Sequence, residues 1–404
     1  MLLVMFMKVE ILRFDDFGRG ICFVGDKITF VPFSVPGDIL EIEIVNSKKN
    51  YNEGKILNII SLSKDRVQSP CPYFGVCGGC TYQMLSYDRS ILEKQNNVIN
   101  YFKKNNILIQ PNLVENDNPY GYRNKITLKI VNKKIGYFKN NSHDIVEVDK
   151  CMLVNNKMNE VIKMLKTLNI INGEVVIRCN YKDEILLVIN TNDEIDISEI
   201  KYIENLKGIV LNNKTIYKNN YLVEEVNDIC YNVTYDAFFQ VNRTVCGKMF
   251  KLVEDFADKN DIVLDLYSGV GTLGLSAAKK ALEVVGVEIN KNAVYNANSN
   301  AVLNNLMNAK FIYSDAGNVK NLDINFNKLI VDPPRAGLSR NTIEFINEKL
   351  PQEIMYISCD YHTQVRDLKL LDNYEIIDAY VCDLFSYTYH VECVSVLHRK
   401  SLEK

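Results

Sequence analysis

From about residue 240 to the end of the chain, apolar runs of strand length alternate with stretches of helical pattern. The strand-like runs cover 262–266, 284–288, 310–313, 328–331 and 354–358. Strands that are apolar throughout are typical of a parallel sheet whose two faces are covered by helices. Two further runs, 375–381 and 391–397, lie close together and predict an antiparallel hairpin at one edge. We therefore predict a doubly wound, Rossmann-like α/β domain over 236–404.

Two smaller units precede this domain. Residues 8–66 alternate apolar and polar residues in short runs, separated by turn residues such as Gly25-Asp26 and Pro36-Gly37, which is the pattern of a small β-barrel. Residues 67–235 are mainly strand-like, with helices predicted near 88–105 and 155–168. The predicted domains are thus 1–66, 67–235 and 236–404.

Composition narrows the class of protein. With 47% hydrophobic and 24% charged residues among 404, the chain resembles an ordinary soluble protein. No apolar run approaches the ~20 residues needed to span a bilayer. The apolar opening, residues 1–6, lacks the basic region and cleavage site of a signal peptide. We expect a cytoplasmic monomer without a membrane partner, in which the eleven cysteines stay reduced.

Charge bears on nucleic-acid binding. A net charge of −3 argues against indiscriminate binding of DNA or RNA, so any RNA affinity must come from a local patch. Residues 94–139 contain nine Lys or Arg and only two acidic residues, with aromatic residues interleaved. Aromatic rings among positive charges suit unpaired bases. A solvated face in a lysine-rich composition is an equally good interpretation of the charge alone.

A glycine-rich loop follows the first strand of the α/β domain. Its sequence, from Asp265 to Gly274, contains G-x-G-x-x-G, and Glu288 ends the next strand near the position of a ribose-binding acid. Asp265 directly before the loop would repel the pyrophosphate of a dinucleotide. A carboxylate there can accept hydrogen bonds from a nucleoside or an amino-acid group. This favours S-adenosylmethionine, a cationic sulfonium compound, over a nicotinamide cofactor.

Three further residues define the chemistry. Asp332, in an Asp-Pro-Pro turn, and Cys359 each follow a strand, which places them at the edge where open α/β sheets bind ligands. C5 of uracil is a poor nucleophile, but a thiolate that adds to C6 creates an enolate that can attack a methyl group. A carboxylate such as Glu392 can then remove the C5 proton. Methylation of an exocyclic amine, the rival reaction, needs neither Cys359 nor Glu392.

A cysteine cluster precedes the first predicted helix. Cys71, Cys77 and Cys80 follow the spacing C-x5-C-G-G-C, with Gly78-Gly79 allowing a tight fold around a metal. Cys151 is the best candidate for a fourth ligand. Four thiolates suit structural zinc or an iron–sulfur cluster, and the spacing does not separate the two.

Together these motifs resemble the RNA uracil-C5 methyltransferases, and within them the bacterial 23S rRNA members that carry an iron–sulfur cluster. The likeness covers nearly the whole chain. Residues 8–66 resemble the RNA-binding TRAM domain of the family, and the four cysteines resemble its [4Fe–4S] ligands. The resemblance makes Cys359 the nucleophile and Glu392 the base. It further implies contacts to S-adenosylmethionine from Gln240, Tyr267, Glu288 and Asp332, with Thr272 and Asp315 nearby.

Some residues depart from the family pattern. The nucleophile is usually followed by Asn-Pro, where this chain has Asp360-Tyr361, and Ser386 stands where a proline is normal. Ser268 stands where the cofactor loop often has Cys. The resemblance also suggests that part of the 88–105 helix packs on the catalytic domain. We select Phe238, beside Gln240, as the candidate for stacking on the target base. The alternatives are a methyltransferase for the tRNA T-loop and an RNA-binding assembly factor with a degenerate methyltransferase fold.

Overall fold

The computed structural model describes residues 6–140, 142–321 and 324–401. Residues 1–5 of the apolar opening and residues 402–404 at the end of the predicted catalytic domain lie outside the described residues. Within the described ranges, no helix is both long and apolar enough to cross a bilayer.

The N-terminal unit is a curled six-stranded sheet in the order β1-β5-β6-β4-β3-β2. Its strands are β1 (Met7–Glu10), β2 (Arg13–Phe14), β3 (Gly20–Val24), β4 (Lys27–Val31), β5 (Ile39–Ser47) and β6 (Tyr51–Ser61). Side chains at alternating positions, including Val31, Leu40 and Ile42, fill its small core. This is the period-2 pattern expected of strands with one buried face.

The next part of the chain begins with helix α1 (Tyr87–Lys104) and the short strand β7 (Asn112–Val114). A seven-stranded sheet follows, in the order β10-β9-β8-β11-β12-β13-β14. Its strands are β8 (Lys125–Val131), β9 (Lys134–Phe138), β10 (Ile145–Glu147), β11 (Gly173–Cys179), β12 (Ile185–Thr191), β13 (Leu206–Leu211) and β14 (Lys214–Lys218), with helix α2 (Asn156–Leu165) and a 3-10 turn (Ile200–Tyr202). The strands β15 (Tyr221–Val226) and β16 (Ile229–Thr234) form an antiparallel hairpin.

The C-terminal unit is an eight-stranded sheet in the order β19-β18-β17-β20-β21-β23-β22-β7. Its remaining strands are β17 (Ile262–Leu266), β18 (Glu283–Glu288), β19 (Ala309–Tyr313), β20 (Lys328–Val331), β21 (Glu353–Ser358), β22 (Tyr374–Cys382) and β23 (Glu392–Arg399). The helices are α3 (Arg243–Phe256), α4 (Thr272–Ala278), α5 (Lys291–Leu303), α6 (Arg340–Lys349) and α7 (Tyr361–Leu368), with a 3-10 turn (Ala316–Asn321). Strands β17 to β21 are parallel, so the predicted doubly wound α/β class is confirmed.

The edge of this sheet differs from the prediction. Strands β22 and β23 pair antiparallel as expected, but β7 lies outside β22 and pairs parallel to it. Helix α1 packs beside it, where Val98 and Phe102 share one apolar cluster with Tyr361 and Val365 of α7. The hairpin is therefore internal, because a segment from before residue 115 completes the sheet.

Candidate active site

The glycine-rich loop connects β17 to α4 through an unusual backbone. Tyr267, the first loop residue, has φ +66°, and Gly271 has φ +87°. Positive φ is uncommon outside glycine, and such strain is concentrated at functional sites. A Cβ at Gly271 would lie 2.9 Å from the ring of Phe311, whereas one at Gly269 would meet no described atom within 4 Å. The loop thus packs closely on its inner side and leaves open space above Gly269.

Two carboxylates flank this open space. Glu288 accepts hydrogen bonds from the Gly269 amide at 3.0 Å and the Asn290 amide at 2.7 Å, which fixes its side chain at the end of β18. Asp265 is fully buried at the end of β17, and both of its carboxylate oxygens lack a hydrogen-bond partner among the described residues. Burial raises the pKa of Asp265 well above its usual value, and the charges of Asp332 and Glu288 add to this. A buried carboxyl group without a side-chain partner is available for hydrogen bonds with a ligand.

The other predicted cofactor residues lie around the same loop, with one exception. The Tyr267 hydroxyl is 3.3 Å from that of Thr342 on α6, and the charge of Asp315 contributes to raising the Tyr267 pKa, although burial is the main cause. Thr272 is the first residue of α4. Gln240 is the exception, because it lines a different cavity, described below.

Asp332, Cys359 and Glu392 meet at one edge of the sheet. The parallel pairs Leu266–Val331 and Val331–Tyr356 align the carboxyl ends of β17, β20 and β21. Strand β23 runs antiparallel to β21, with Ser358 opposite Cys393. Cys359 and Glu392 are the next residues outward on these two strands. The register therefore brings together a thiol and a carboxylate that are far apart in the sequence.

Electrostatics confirm that these three groups affect one another. Burial, followed by the charges of Glu392 and Asp332, raises the pKa of the Cys359 thiol to about 11, while Arg335 acts in the opposite direction. Burial and the charge of Asp332 also raise the pKa of Glu392, again opposed by Arg335. Burial raises the pKa of Asp332 as well. The surroundings thus favour the protonated forms of the thiol and of the two carboxyl groups, and the charge of Arg335 opposes this for Cys359 and Glu392.

Cys359 opens into a cavity of about 160 Å³. Two of its lining residues had no signal in the sequence analysis, Arg335 and His390. Burial lowers the pKa of His390 to about 4, with help from Arg335 and Lys94, so its imidazole is neutral at neutral pH and has one donor and one acceptor. Arg335 directly follows the Asp-Pro-Pro turn, a position that could have drawn attention to it.

The four cysteines of the predicted cluster line one larger cavity of about 480 Å³, together with Gln240 and Phe238. All eleven cysteines of the chain are free thiols. Burial is the main cause that raises the pKa of Cys80, to about 12, with repulsion from the other three cysteines adding to it. Among the residues that the structure describes, no three Cys, His, Asp or Glu side chains are grouped tightly enough to hold a metal ion.

One part of the sequence-based RNA patch is not at the surface. Lys94, counted among the basic residues of 94–139, is buried and forms an ion pair with Asp383. It was misassigned because its anionic partner lies near the other end of the chain. Arg123 and Lys125 line the larger cavity, so this part of the basic segment borders a cavity and does not belong to a fully solvated surface.

Both the sequence and the fold of this chain match known RNA-modifying enzymes. The sequence model described as tRNA (Uracil-5-)-methyltransferase matches residues 132–400. The chain therefore belongs to this family of S-adenosylmethionine-dependent RNA (uracil-5-)-methyltransferases, and it is an RNA methyltransferase.

Relatives match over nearly the full length. An RNA methyltransferase of Halalkalibacterium halodurans is 30% identical over 446 residues, covering 98% of this chain and 97% of the relative. One from Staphylococcus aureus is 29% identical, covering 95% and 96%. The crystal structure of Pyrococcus abyssi tRNA (uracil-54, C5)-methyltransferase in complex with S-adenosyl-L-homocysteine superposes with a TM-score of 0.83, at 27% identity, and covers 97% of this chain and 99% of that one.

Proposed function

We propose that this protein methylates C5 of a specific uridine in RNA through a covalent bond between Cys359 and C6 of the base. The observation that carries the proposal is the register of β21 and β23, with Ser358 opposite Cys393, which puts Cys359 and Glu392 next to each other near Asp332. A thiol and a carboxyl at one ligand-binding edge match the two tasks of C5 methylation. Methyl transfer to an exocyclic amine would leave both without a role.

The proposed reaction uses each residue at a stated atom. Cys359 Sγ forms a bond to C6, which makes C5 nucleophilic. S-adenosylmethionine, when bound, supplies the methyl group as an electrophile. Glu392 then accepts the C5 proton, the electrons of that bond restore the C5–C6 double bond, and the Sγ–C6 bond breaks. Arg335 helps the first step, since its charge favours the thiolate form of Cys359.

Contacts around the glycine-rich loop support the proposed cofactor residues. The carboxyl group of Asp265 can form hydrogen bonds with the ligand, and Glu288 retains acceptor capacity for ribose hydroxyls beyond its two amide bonds. Tyr267, Thr272, Asp315 and Asp332 are proposed to contribute to the same site, and the mutual effects of Tyr267 with Asp315 and of Asp265 with Asp332 support this. Gln240 remains a proposal from family resemblance, because its cavity is the one with the cysteines.

We further propose a [4Fe–4S] cluster held by Cys71, Cys77, Cys80 and Cys151. The four thiols share one cavity, and burial raises the pKa of Cys151, with the Leu153 amide opposing that rise. Four thiolates suit a [4Fe–4S] cluster or a structural zinc ion, and the resemblance of the cysteine motif to the rRNA enzymes favours the cluster. Such a cluster would join the 71–80 segment to the loop at Cys151.

Among substrates we propose 23S rRNA in the cytoplasm, recognised partly by the N-terminal barrel acting as a TRAM domain. The support is the combined resemblance of the barrel and the cysteine motif to the rRNA enzymes. The second candidate is the tRNA T-loop, favoured by the Pyrococcus abyssi enzyme, which acts on uracil-54 of tRNA. Mapping of 5-methyluridine by mass spectrometry in both RNAs, with and without the gene, decides between them. Loss only from tRNA would overturn the rRNA proposal, and no loss from any RNA would favour an assembly factor.

RNA that contains 5-fluorouridine tests the reaction itself, because fluorine at C5 cannot be removed as a proton and the covalent adduct persists. We expect a stable RNA–protein adduct with the wild-type protein and with Cys230→Ser, a half-exposed cysteine away from the site. Cys359→Ala should form none. Methylation without an adduct that depends on Cys359 would contradict C5 chemistry and favour an exocyclic amine.

A further inference from the structure

The cavity at Cys359 is closed on one side by a turn of the N-terminal barrel. Asp16 and Phe17, between β2 and β3, line it together with Tyr389 and His390 from the loop before Glu392. The resemblance of the barrel to a TRAM domain implies RNA binding and no part in the catalytic pocket. The contacts of residues 15–19 show how this turn is held in place.

Asp15 makes the turn rigid. Its carboxylate accepts hydrogen bonds from the Phe17 amide at 3.0 Å and the Arg19 amide at 2.7 Å, and it forms an ion pair with the Arg19 guanidinium at 2.7 Å. An aspartate that bonds successive backbone amides fixes a turn in one conformation. The ring of Phe17 therefore projects from a preorganised backbone.

Gly18 allows the turn to pack closely against Thr81 and Tyr82, outside the barrel. It has φ +75°, and a Cβ there would lie 2.8 Å from the ring of Tyr82 and 2.4 Å from the side chain of Thr81. Only glycine permits so close an approach. The amides of Thr81 and Tyr82 donate in turn to the Tyr387 carbonyl, at 2.8 and 2.9 Å. The barrel turn is thus docked on a segment bonded to the loop that precedes Glu392.

His362 links the turn to the candidate nucleophile. Its Nε2 is 3.2 Å from Asp16 Oδ2, and its Nδ1 is 3.1 Å from Asp360 Oδ1. Asp360 directly follows Cys359 and caps helix α7 by accepting from the His362 amide at 2.9 Å. Asp360, one of the two residues that depart from the family pattern after Cys359, therefore takes part with His362 and Asp16 in a bridge between the nucleophile loop and the barrel.

Phe17 and Tyr389 form an aromatic wall at the mouth of the cavity. Their rings meet edge to face, with centroids 5.5 Å apart. The Arg19 guanidinium lies 5.6 Å from the centroid of the Phe17 ring, and Phe17 remains 54% exposed, so part of its ring is accessible. A cavity of about 160 Å³ is well below the ~300–1,000 Å³ of pockets for whole drug-sized ligands. It suits one flipped base, read by stacking on aromatic rings.

We propose that Phe17 of the barrel contacts the target nucleotide in the Cys359 cavity, and that the Asp16–His362 bridge positions it there. The inference rests on the proposed function, since it takes the occupant to be the uridine that Cys359 attacks. The barrel then belongs to the catalytic pocket as well as to the RNA-binding surface.

Adduct formation with 5-fluorouridine RNA tests the inference, with Phe23→Ala as the matched control. Phe23 lies on the same barrel and is also 54% exposed, but it is not part of the cavity. We expect Phe17→Ala to slow adduct formation by roughly 10- to 100-fold, and Phe23→Ala to leave the rate within about 2-fold. S-adenosylmethionine binding and the melting temperature should match wild type in both. Phe17→Leu keeps an apolar side chain against Tyr389 and therefore controls for a folding defect. Adduct formation should also be slow in Phe17→Leu, whereas Phe17→Tyr, which keeps an aromatic ring, should form the adduct at the wild-type rate.

A separate measurement, the RNA concentration that gives half-maximal adduct, tests the Asp16–His362 bridge. Asp16→Ala should raise the RNA concentration for half-maximal adduct by about 2- to 10-fold without changing the rate at saturation, and Asp16→Asn, which keeps an oxygen acceptor for His362, should restore it. Wild-type adduct rates in both Phe17→Ala and Phe17→Leu would overturn the inference alone. Absence of any adduct in the wild-type protein would overturn the proposed function and the inference with it.

Discussion

Lys94 Nζ donates to Asp383 Oδ1 at 2.6 Å, with both side chains only 1% exposed. The bond joins helix α1 to the loop that leads to Glu392, and Lys94 also donates to the Phe385 carbonyl at 2.9 Å. Lys94→Met would leave the carboxylate of Asp383 buried without its cation. We expect the free energy of unfolding, measured in urea, to fall by about 3–5 kcal/mol.

Lys320→Met provides the control for that prediction. Its ion pair with Glu348, at 3.2 Å, is solvent-exposed, so the loss should stay below about 1 kcal/mol. Equal effects of the two substitutions would show that the buried pair contributes no more than a surface pair.

Ser386 occupies the position of the proline that is normal in the family, and the structure gives it two partners. Its hydroxyl donates to Asp383 Oδ2 at 2.6 Å and accepts from Asn116 Nδ2 at 2.8 Å. Ser386→Ala should cost about 1–3 kcal/mol, because Asn116 is left unpaired in a buried position. In a double-mutant cycle with Asn116→Val, measured by urea unfolding, the two losses should not add. Additive losses would contradict a coupled pair.

Glu392→Gln should separate the two halves of the reaction. The amide cannot accept the C5 proton, so the Cys359 adduct forms and persists on ordinary uridine RNA. We expect a covalent RNA–protein species on denaturing gels and at least a 100-fold loss of released product. Glu375→Gln, on the exposed side of β22, should turn over normally. Release of methylated RNA at the wild-type rate by Glu392→Gln would exclude it as the base.

The raised pKa of Cys359, about 11, predicts a pH dependence for its alkylation. The reactive form is the thiolate, whose fraction increases about tenfold per pH unit below the pKa. Iodoacetamide should therefore modify Cys359 slowly at pH 7 and progressively faster up to about pH 11, as followed by peptide mass spectrometry. Arg335→Met should slow the reaction at every pH below that, because it removes the cation that lowers the pKa. A plateau already at pH 8 would contradict the predicted shift.

The proposed cluster makes a quantitative prediction for protein purified without oxygen. We expect about four iron atoms per chain and a brown colour, both strongly reduced in Cys151→Ser. Cys230→Ser is the control and should keep its iron. Zinc in place of iron in the wild-type protein would overturn the cluster and leave the same four cysteines as ligands.

Much of the catalytic sheet could be predicted because its central strands are apolar throughout. The runs predicted at 262–266 and 328–331 coincide with β17 and β20. Strand β7 could not be found in this way, since three residues in a polar stretch carry no periodic signal. Its pairing depends on Tyr380 and its neighbours, far away in the sequence.

The candidate active site also has a part that the sequence predicts and a part that it does not. The positions of Asp332, Cys359 and Glu392 at strand termini were predictable because the directions of these strands follow from the fold class, whereas their catalytic roles remain predictions. The Asp16–His362 contact was not, because it depends on how the barrel docks and no motif encodes it. The structure places Phe238 in the cavity with the cysteines and not in the one lined by Cys359, so its role in base stacking remains a prediction.

The position of β7 in the catalytic sheet has consequences for folding during synthesis and for the design of fragments. Residues 87–114 are synthesised long before β22, the strand with which β7 pairs. This pairing can form only when nearly the whole chain has been made, and pairing between segments so far apart in sequence is slow. A fragment that starts at residue 236 would lack both β7 and α1. It would expose the edge of β22 and the apolar face formed by Val365 and Val381, which is a template for aggregation. The catalytic unit is therefore not separable by a single cut, and a stable version needs residues 87–114 supplied as a second peptide or by circular permutation.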